Sequence, residues 1–125
     1  MSKRRPVSVM LVEDDASIAQ LYSMKLRMDG YSVHLAADGT TADVIFEKAS
    51  PDVVCVDSRL RGESGRGCAE RYAGAGSIVL LLTNDQDSFE HPPTGVARSL
   101  LKSRTNPGQL SATIAQLVTQ KSPPR

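Results

Sequence analysis

The sequence predicts an α/β fold in which helices cover both faces of a parallel β-sheet. Segments typical of strands alternate with helical patterns five times along the 125 residues, as in chains of repeated βα units. The segment at 53–57, Val-Val-Cys-Val-Asp, is apolar up to its final aspartate, which indicates a strand buried on both faces. Parallel strands joined by right-handed crossovers place all their carboxyl ends at one edge of the sheet.

The predicted strands differ in their polarity. Residues 7–12, 53–57 and 77–82 are almost continuously apolar and are expected to be buried, and a short fifth strand is predicted at 99–101. Residues 31–36 alternate apolar and polar side chains, which is typical of a half-buried edge strand.

Four segments have the apolar spacing of amphipathic helices: 16–29, 41–49, 68–73 and 107–120. The first is expected to bury Leu21, Tyr22 and Leu26 and to end at Gly30. Within 85–94, Pro92 and the neighbouring proline allow a short helix or none. The third and fourth helices are therefore predicted to be shortened.

Size and composition fit one domain over residues 1–125, with a core at about 7–120, a short basic N-terminal arm and a proline-containing C-terminal tail. A chain of this length buries a core without staples, and Cys55 and Cys68 lack the spacing of metal ligands. A net charge of +1 and the lack of an apolar run of about 18 residues indicate neither a nucleic-acid nor a membrane partner. We expect a cytoplasmic protein.

Polar residues stand where the predicted strands end. Glu13 and Asp14 follow the first strand, and Asp57 ends the third. Thr83 follows the fourth strand and Lys102 the fifth. Because open α/β sheets place their reactive groups at the carboxyl ends of strands, we expect these side chains to share one shallow pocket.

This combination suits magnesium-dependent phosphoryl transfer. Carboxylates are ligands for Mg²⁺, and acids drawn close together need a compensating cation. Asp57 can act as a nucleophile that forms an aspartyl phosphate, while Lys102 and Thr83 contact the phosphoryl oxygens. Simpler roles stay open, because Asp57 can start a turn and Asp14 or Asp15 can cap the first helix.

With these motifs in this order, the chain resembles a receiver (response regulator) domain of bacterial two-component signalling, of the single-domain, chemotaxis-regulator type. The motifs lie at 11–15, 51–57, 82–83 and 101–102, and the resemblance covers about 7–120. It implies the flavodoxin-like (βα)5 fold, a three-layer sandwich with parallel sheet order 2-1-3-4-5.

The resemblance also implies roles for individual residues. Asp57 would be the phosphoacceptor, and Mg²⁺ would be bound by Glu13, Asp14, Asp57 and the backbone carbonyl of Arg59. Thr83 and Lys102 would be the switch hydroxyl and the phosphate-binding lysine. Such a protein is a phosphoacceptor and not an enzyme, apart from its own phosphorylation and dephosphorylation.

Four positions depart from the pattern that the family usually shows. Arg61 and Ser103 stand where a proline is usual, and Asn84 stands where the residue is usually small. Ser99 replaces an aromatic residue. Because Ser99 has no ring to move, the usual relay from hydroxyl to aromatic ring is not expected here.

We therefore predict a stand-alone receiver that takes a phosphoryl group from a histidine kinase or phosphotransfer protein. It would signal to an unknown output protein, or form a homodimer, through the 85–120 face. The alternative is a divergent receiver that acts as a constitutive protein-binding or dimerisation module. A metal-dependent hydrolase is a third reading, but no general base is predicted at the site.

Overall fold

The computed structural model describes residues 5–121 and arranges them around a five-stranded parallel sheet. The strands are β1 (Ser8–Val12), β2 (Ser32–Ala36), β3 (Val53–Asp57), β4 (Ile78–Thr83) and β5 (Arg98–Leu101). Their order is β2-β1-β3-β4-β5, with every neighbouring pair parallel. This confirms the predicted flavodoxin-like order 2-1-3-4-5. Most of the predicted basic arm, up to residue 4, and the tail from 122 lie outside the described residues.

In the described part of the chain, five α-helices connect or follow these strands: α1 (Ala16–Met28), α2 (Gly39–Ala49), α3 (Gly65–Gly74), α4 (Gln86–Glu90) and α5 (Pro107–Lys121). A small antiparallel hairpin, Arg59–Leu60 with Glu63–Ser64, follows β3, and a 3₁₀ turn at Lys102–Arg104 follows β5. The fourth helix is short, as the prolines predicted. Within residues 5–121 no helix is long and apolar enough to cross a bilayer.

The core has two halves, one on each face of the sheet. Val9 and Leu11 of β1 pack with α1 and α5, whereas Met10 and Val12 pack with α2 and α3. Successive side chains of a strand point to opposite faces, so a strand buried on both faces must be apolar at consecutive positions. This double burial holds the strand ends, and therefore the site, in fixed positions.

The third helix begins at Gly65, three residues earlier than predicted. Its first residue donates its backbone N–H to the Ser58 carbonyl, and a Cβ at this position would overlap the Asp57 carbonyl. Glycine disfavours helices in general, so the sequence pattern indicated a turn. Here the close approach of α3 to the end of β3 leaves room for no larger residue.

The prediction that α1 buries Leu21 was wrong. The buried face of α1 consists of Ala19, Tyr22, Ser23 and Leu26, which follow the i, i+3, i+4, i+7 spacing of one helical stripe. Leu21 is 60% exposed, because it precedes Tyr22 by one residue and so points about 100° away from that stripe.

Candidate functional site

Lys102 lies between two carboxylates at the carboxyl edge of the sheet. Its Nζ atom is 2.6 Å from Asp57 Oδ2 and 2.6 Å from Glu13 Oε1. Glu13 and Asp57 are buried, and the Lys102 side chain is only 15% exposed. The ammonium therefore offsets much of the negative charge that the two acids bring into the protein interior.

Burial and pairing act in opposite directions on these charges. Burial raises the pKa of Glu13 above its usual value, and the nearby charge of Asp57 adds to this effect, although Lys102 opposes it. Burial by itself lowers the pKa of Lys102, but hydrogen bonds to Asp57 and Glu13 outweigh it, so this pKa is raised. Lys102 is therefore a firmly protonated cation at neutral pH.

Three acids meet at this edge. Glu13, Asp14 and Asp57 each offer a carboxylate oxygen, and these atoms lie within 4.8 Å of one another. Asp15 has a different role, because its carboxylate caps α1 by accepting the Ser17 and Ile18 backbone N–H groups. The capping role predicted for this acidic run therefore belongs to Asp15, while cation binding by Glu13 and Asp14 stays a prediction.

Arg59 contributes its backbone beside Asp57. Its N–H donates to Asp57 Oδ1 at 3.1 Å, as in a turn that begins with an aspartate. One oxygen of Asp57, Oδ1, therefore has the role of a turn residue. The other oxygen, Oδ2, contacts Lys102.

The Thr83 hydroxyl does not contact Asp57 in this structure. Its Oγ1 atom accepts hydrogen bonds from Ser58 Oγ at 2.8 Å and from the Asp85 backbone N–H at 3.0 Å. Asp85 in turn caps α4 by accepting the Ser88 N–H. Thr83 is thus linked to the start of α4. Ser58 is a site residue that the sequence analysis missed, although its position next to Asp57 could have suggested it.

Two of the four residues that depart from the family pattern, Asn84 and Ser103, contact each other. Asn84 Oδ1 accepts the backbone N–H of Ser103 at 2.8 Å. A proline at position 103 has no N–H to donate, so the asparagine and the serine depend on each other. Ser99 is also engaged, because its hydroxyl donates to the Phe89 carbonyl of α4 at 2.6 Å.

These residues surround an open pocket of about 380 Å³ that is lined by Asp57, Ser58, Arg59, Asn84, Asp85 and Lys102. A larger cavity of about 470 Å³ lies among residues that precede the strands, including Pro51 and Ser77. Asp57 and Lys102 line the smaller pocket, so the candidate chemistry belongs there.

The fold and the site together define an α/β protein of the receiver class. The sequence model of the response regulator receiver domain matches residues 9–105, and the chain belongs to this family. Receiver domains are phosphoacceptors of two-component signalling that interact with histidine kinases or phosphotransfer proteins, and they bind Mg²⁺ at an acidic pocket.

Individual proteins show the same relationship. The probable transcriptional regulatory protein TcrX of Mycobacterium tuberculosis is 37% identical over 81 residues, which cover 63% of this chain and 35% of TcrX. The chain thus spans about a third of that relative's length. The chemotaxis response regulator CheY4 of Vibrio cholerae has a TM-score of 0.78 at 26% identity and covers 90% of this chain and 98% of its own. A CheY-like receiver from Methanospirillum hungatei JF-1 reaches 0.83 at 19% identity, over 94% and 97% of the two chains.

Proposed function

We propose that this chain accepts a phosphoryl group on Asp57 from a histidine kinase or phosphotransfer protein. The observation that carries the proposal is the position of Lys102, whose ammonium lies 2.6 Å from both Asp57 and Glu13 beside an open pocket. A phosphoryl group added to Asp57 lies within reach of this cation.

Asp57 acts as the nucleophile in the proposed transfer. Its carboxylate forms a P–O bond while the P–N bond of a phosphohistidine breaks, and the imidazole leaves with the bonding electrons and takes up a proton. Lys102 then pairs with the added phosphoryl oxygens. Hydrolysis of the aspartyl phosphate ends the signal. Water adds to the phosphorus atom, and Asp57 leaves as a carboxylate with release of inorganic phosphate.

The acidic cluster fits a divalent cation. Oxygens of Glu13, Asp14 and Asp57 lie close enough to share one ion, and oxygen ligands are those that Mg²⁺ prefers. These three residues and the Arg59 carbonyl would hold it. When bound, Mg²⁺ offsets the charge of the carboxylates and polarises the phosphoryl oxygens.

Thr83 is the proposed switch residue. Its hydroxyl accepts the Asp85 backbone N–H and bonds to Ser58 Oγ, and a hydroxyl that can rotate can also donate its proton to a phosphoryl oxygen on Asp57. Any movement of Thr83 toward that oxygen is passed to Asp85, the N-cap of α4. This path links Thr83 to α4 directly, so it needs no aromatic ring at position 99.

The direct test is phosphorylation with acetyl phosphate and Mg²⁺, followed by mass spectrometry. We expect the wild type to gain one phosphoryl group and the Asp57→Asn variant to gain none. Asp38→Asn is the matched control, because Asp38 only caps α2 and asparagine also caps helices. If the wild type stays unmodified while a competent receiver is phosphorylated alongside, the proposed function is wrong.

We further propose that the 85–120 face carries the output and that the chain works as a separate receiver. The supporting observations are the links from Thr83 to α4 and from α4 to β5, and a core that is closed on both faces of the sheet. Light scattering with and without beryllofluoride tests homodimer formation through this face. The mass of the native polypeptide, compared with the 13.4 kDa of these 125 residues, tests whether the receiver is separate from an output domain.

A constitutive binding module is the second candidate. Ser99 is already bound to the Phe89 carbonyl, so β5 and α4 are tied together without a phosphoryl group. This alternative predicts that Asp57→Asn leaves the affinity for an output partner unchanged, whereas the first proposal predicts that the mutant fails to respond to the phosphodonor.

A further inference from the structure

We propose that Asn84 and Tyr22 are positioning residues for Lys102: they hold the turn after β5 so that the ammonium meets Asp57. This inference rests on the proposed function, since it concerns the same site. The turn comprises the 3₁₀ residues Lys102–Arg104 and the following Thr105.

Asn84 holds the turn from the neighbouring strand. It lies directly after β4, and its Oδ1 atom accepts the Ser103 N–H at 2.8 Å. Ser103 is the next residue after Lys102, so this bond fixes the backbone beside the lysine. Because β4 and β5 are neighbours in the sheet, the contact joins their carboxyl ends across the pocket.

Tyr22 holds the other end of the turn from α1. Its hydroxyl donates to the Thr105 carbonyl at 2.8 Å, and its ring is buried in the core beside α5. The Thr105 hydroxyl in turn donates to the Leu101 carbonyl at 2.8 Å, which closes the turn around Lys102. Residues on both sides of the lysine are therefore tied to fixed elements.

These contacts matter because the lysine side chain is long. Restricting its rotamers has an entropic cost, and a catalytic group that is displaced by about 1 Å can lose a hundredfold in rate. A fixed backbone leaves the Lys102 side chain fewer conformations, so less conformational entropy is lost when the ammonium takes its position beside Asp57. The geometry thus assigns Asn84 and Tyr22 an effect on chemistry that passes through Lys102.

A simpler role for Asn84 is steric, because it also lines the pocket. The two roles have opposite consequences. Removing a positioning contact slows phosphoryl uptake, and only while Lys102 is present. Removing an obstruction speeds uptake, whether or not Lys102 is present.

The test is a double-mutant cycle on the full chain, with acetyl phosphate and Mg²⁺ as the probe. We expect Asn84→Ala and Tyr22→Phe each to slow phosphorylation by about 3- to 10-fold, the effect of one lost hydrogen bond. In a Lys102→Ala background both effects should vanish. The control is Asn106→Ala, which removes another asparagine contact to a backbone N–H, that of Gln109, and should act equally in both backgrounds.

A second measurement does not need phosphorylation. We expect Asn84→Ala to speed hydrogen exchange at the Ser103 amide and acylation of the Lys102 amine, and Asn84→Asp, which keeps the acceptor, to restore amide protection. Faster phosphorylation in Asn84→Ala, or an equal slowing without Lys102, overturns the inference. If the wild type takes up no phosphoryl group, the proposed function fails, and unchanged exchange and acylation in Asn84→Ala then overturn the positioning role separately.

Discussion

At the start of α3, Gly65 packs directly against the backbone carbonyl of Asp57. A methyl group at this position would overlap that oxygen, and backbone atoms cannot move aside as a flexible side chain can. We expect Gly65→Ala to lower the free energy of unfolding by about 1–3 kcal/mol, the usual cost of overpacking, and to displace the end of β3. Urea unfolding measures the loss.

Gly67 provides the matched control within the same helix. A Cβ on Gly67 would meet only the end of the Arg71 side chain, at 4.0 Å. Gly67→Ala should therefore stabilise the protein by up to about 1 kcal/mol through helix propensity. Equal effects at the two glycines would contradict the close packing that we describe at Gly65.

Single residues also show which contacts can be predicted from the sequence. Glu13, Asp57 and Lys102 could be placed together in advance, because the carboxyl ends of parallel strands share an edge. The Asn84–Ser103 contact could not, because it depends on the conformations of two loops. The sequence showed two separate departures there, and only the structure joins them.

At the scale of elements, α2 and α3 are joined by a polar contact as well as by the core. Tyr72 of α3 donates to Asp43 of α2 at 2.6 Å, and Arg71 pairs with the same carboxylate at 3.1 Å. The Tyr72 ring also stacks on Phe46, with ring centroids 4.5 Å apart. The hydroxyl and the ring of Tyr72 can thus be tested separately.

The hydrogen bond from Tyr72, helped by Arg71, lowers the pKa of Asp43 below its usual 3.8. A lowered pKa stabilises the fold above the usual value, and this stabilisation is lost as the pH falls through the lowered one. We expect Tyr72→Phe to cost about 1 kcal/mol at pH 7, since Asp43 is half exposed and screened by solvent.

The difference between wild type and Tyr72→Phe should shrink as the pH falls below 3.8. Unfolding by urea at several pH values measures it. In an Asp43→Asn background, which cannot titrate, the difference should no longer depend on pH. A difference of the same size in acid and at neutral pH would show that Tyr72 acts through packing alone.

The exposed side of α1 suggests where the phosphodonor docks. Leu21, Met24 and Met28 are 60%, 53% and 77% exposed, and their spacing places them on one face of the helix. The helix begins at Ala16, directly after its cap Asp15 beside the acidic cluster, and Leu21 lies only about 8 Å further along it. We therefore expect a donor that brings a phosphohistidine to Asp57 to contact this region.

We expect Leu21→Gln with Met24→Gln to slow transfer from a protein donor by about tenfold, because a few apolar residues carry most of the binding energy of an interface. Phosphorylation by acetyl phosphate, which needs no docking, should stay unchanged. Val44→Gln on α2 alters another half-exposed apolar residue and should change neither rate. Equal slowing with both phosphodonors would place the defect at the site and not at the docking surface.

The helix boundaries show why elements are harder to predict than their order. The pattern at 68–73 identified α3 but missed its first turn, since Gly65 and Gly67 are poor helix formers. The hairpin Arg59–Ser64 was missed as well, because two-residue strands carry no periodicity. The first turn of α3 and the hairpin both depend on how the chain packs after β3, and this packing cannot be predicted from local sequence.

For the whole molecule, the regular alternation of strands and helices was enough to predict a parallel sheet, because a crossover helix is the common way to join parallel strands. The order 2-1-3-4-5 required the resemblance to receiver domains, since periodicity does not say which strands are neighbours. The structure shows that order.

Magnesium should couple the site to the stability of the whole fold. An ion that binds only the folded state raises the free energy of unfolding, by about 1.4 kcal/mol when its concentration is ten times its dissociation constant. The effect is expected here because Glu13, Asp14 and Asp57 come together only through the order of β1 and β3 in the folded sheet. Urea unfolding with Mg²⁺, and with EDTA in its place, measures it.

Asp14→Asn separates metal binding from folding. Asp14 is only partly buried, so its loss should change the metal-free stability by less than about 0.5 kcal/mol while removing most of the gain with Mg²⁺. Asp87→Asn, which alters an exposed carboxylate on α4, should keep the full gain. If Mg²⁺ stabilises Asp14→Asn as much as the wild type, the ion acts on the general charge of the protein and not at the acidic cluster.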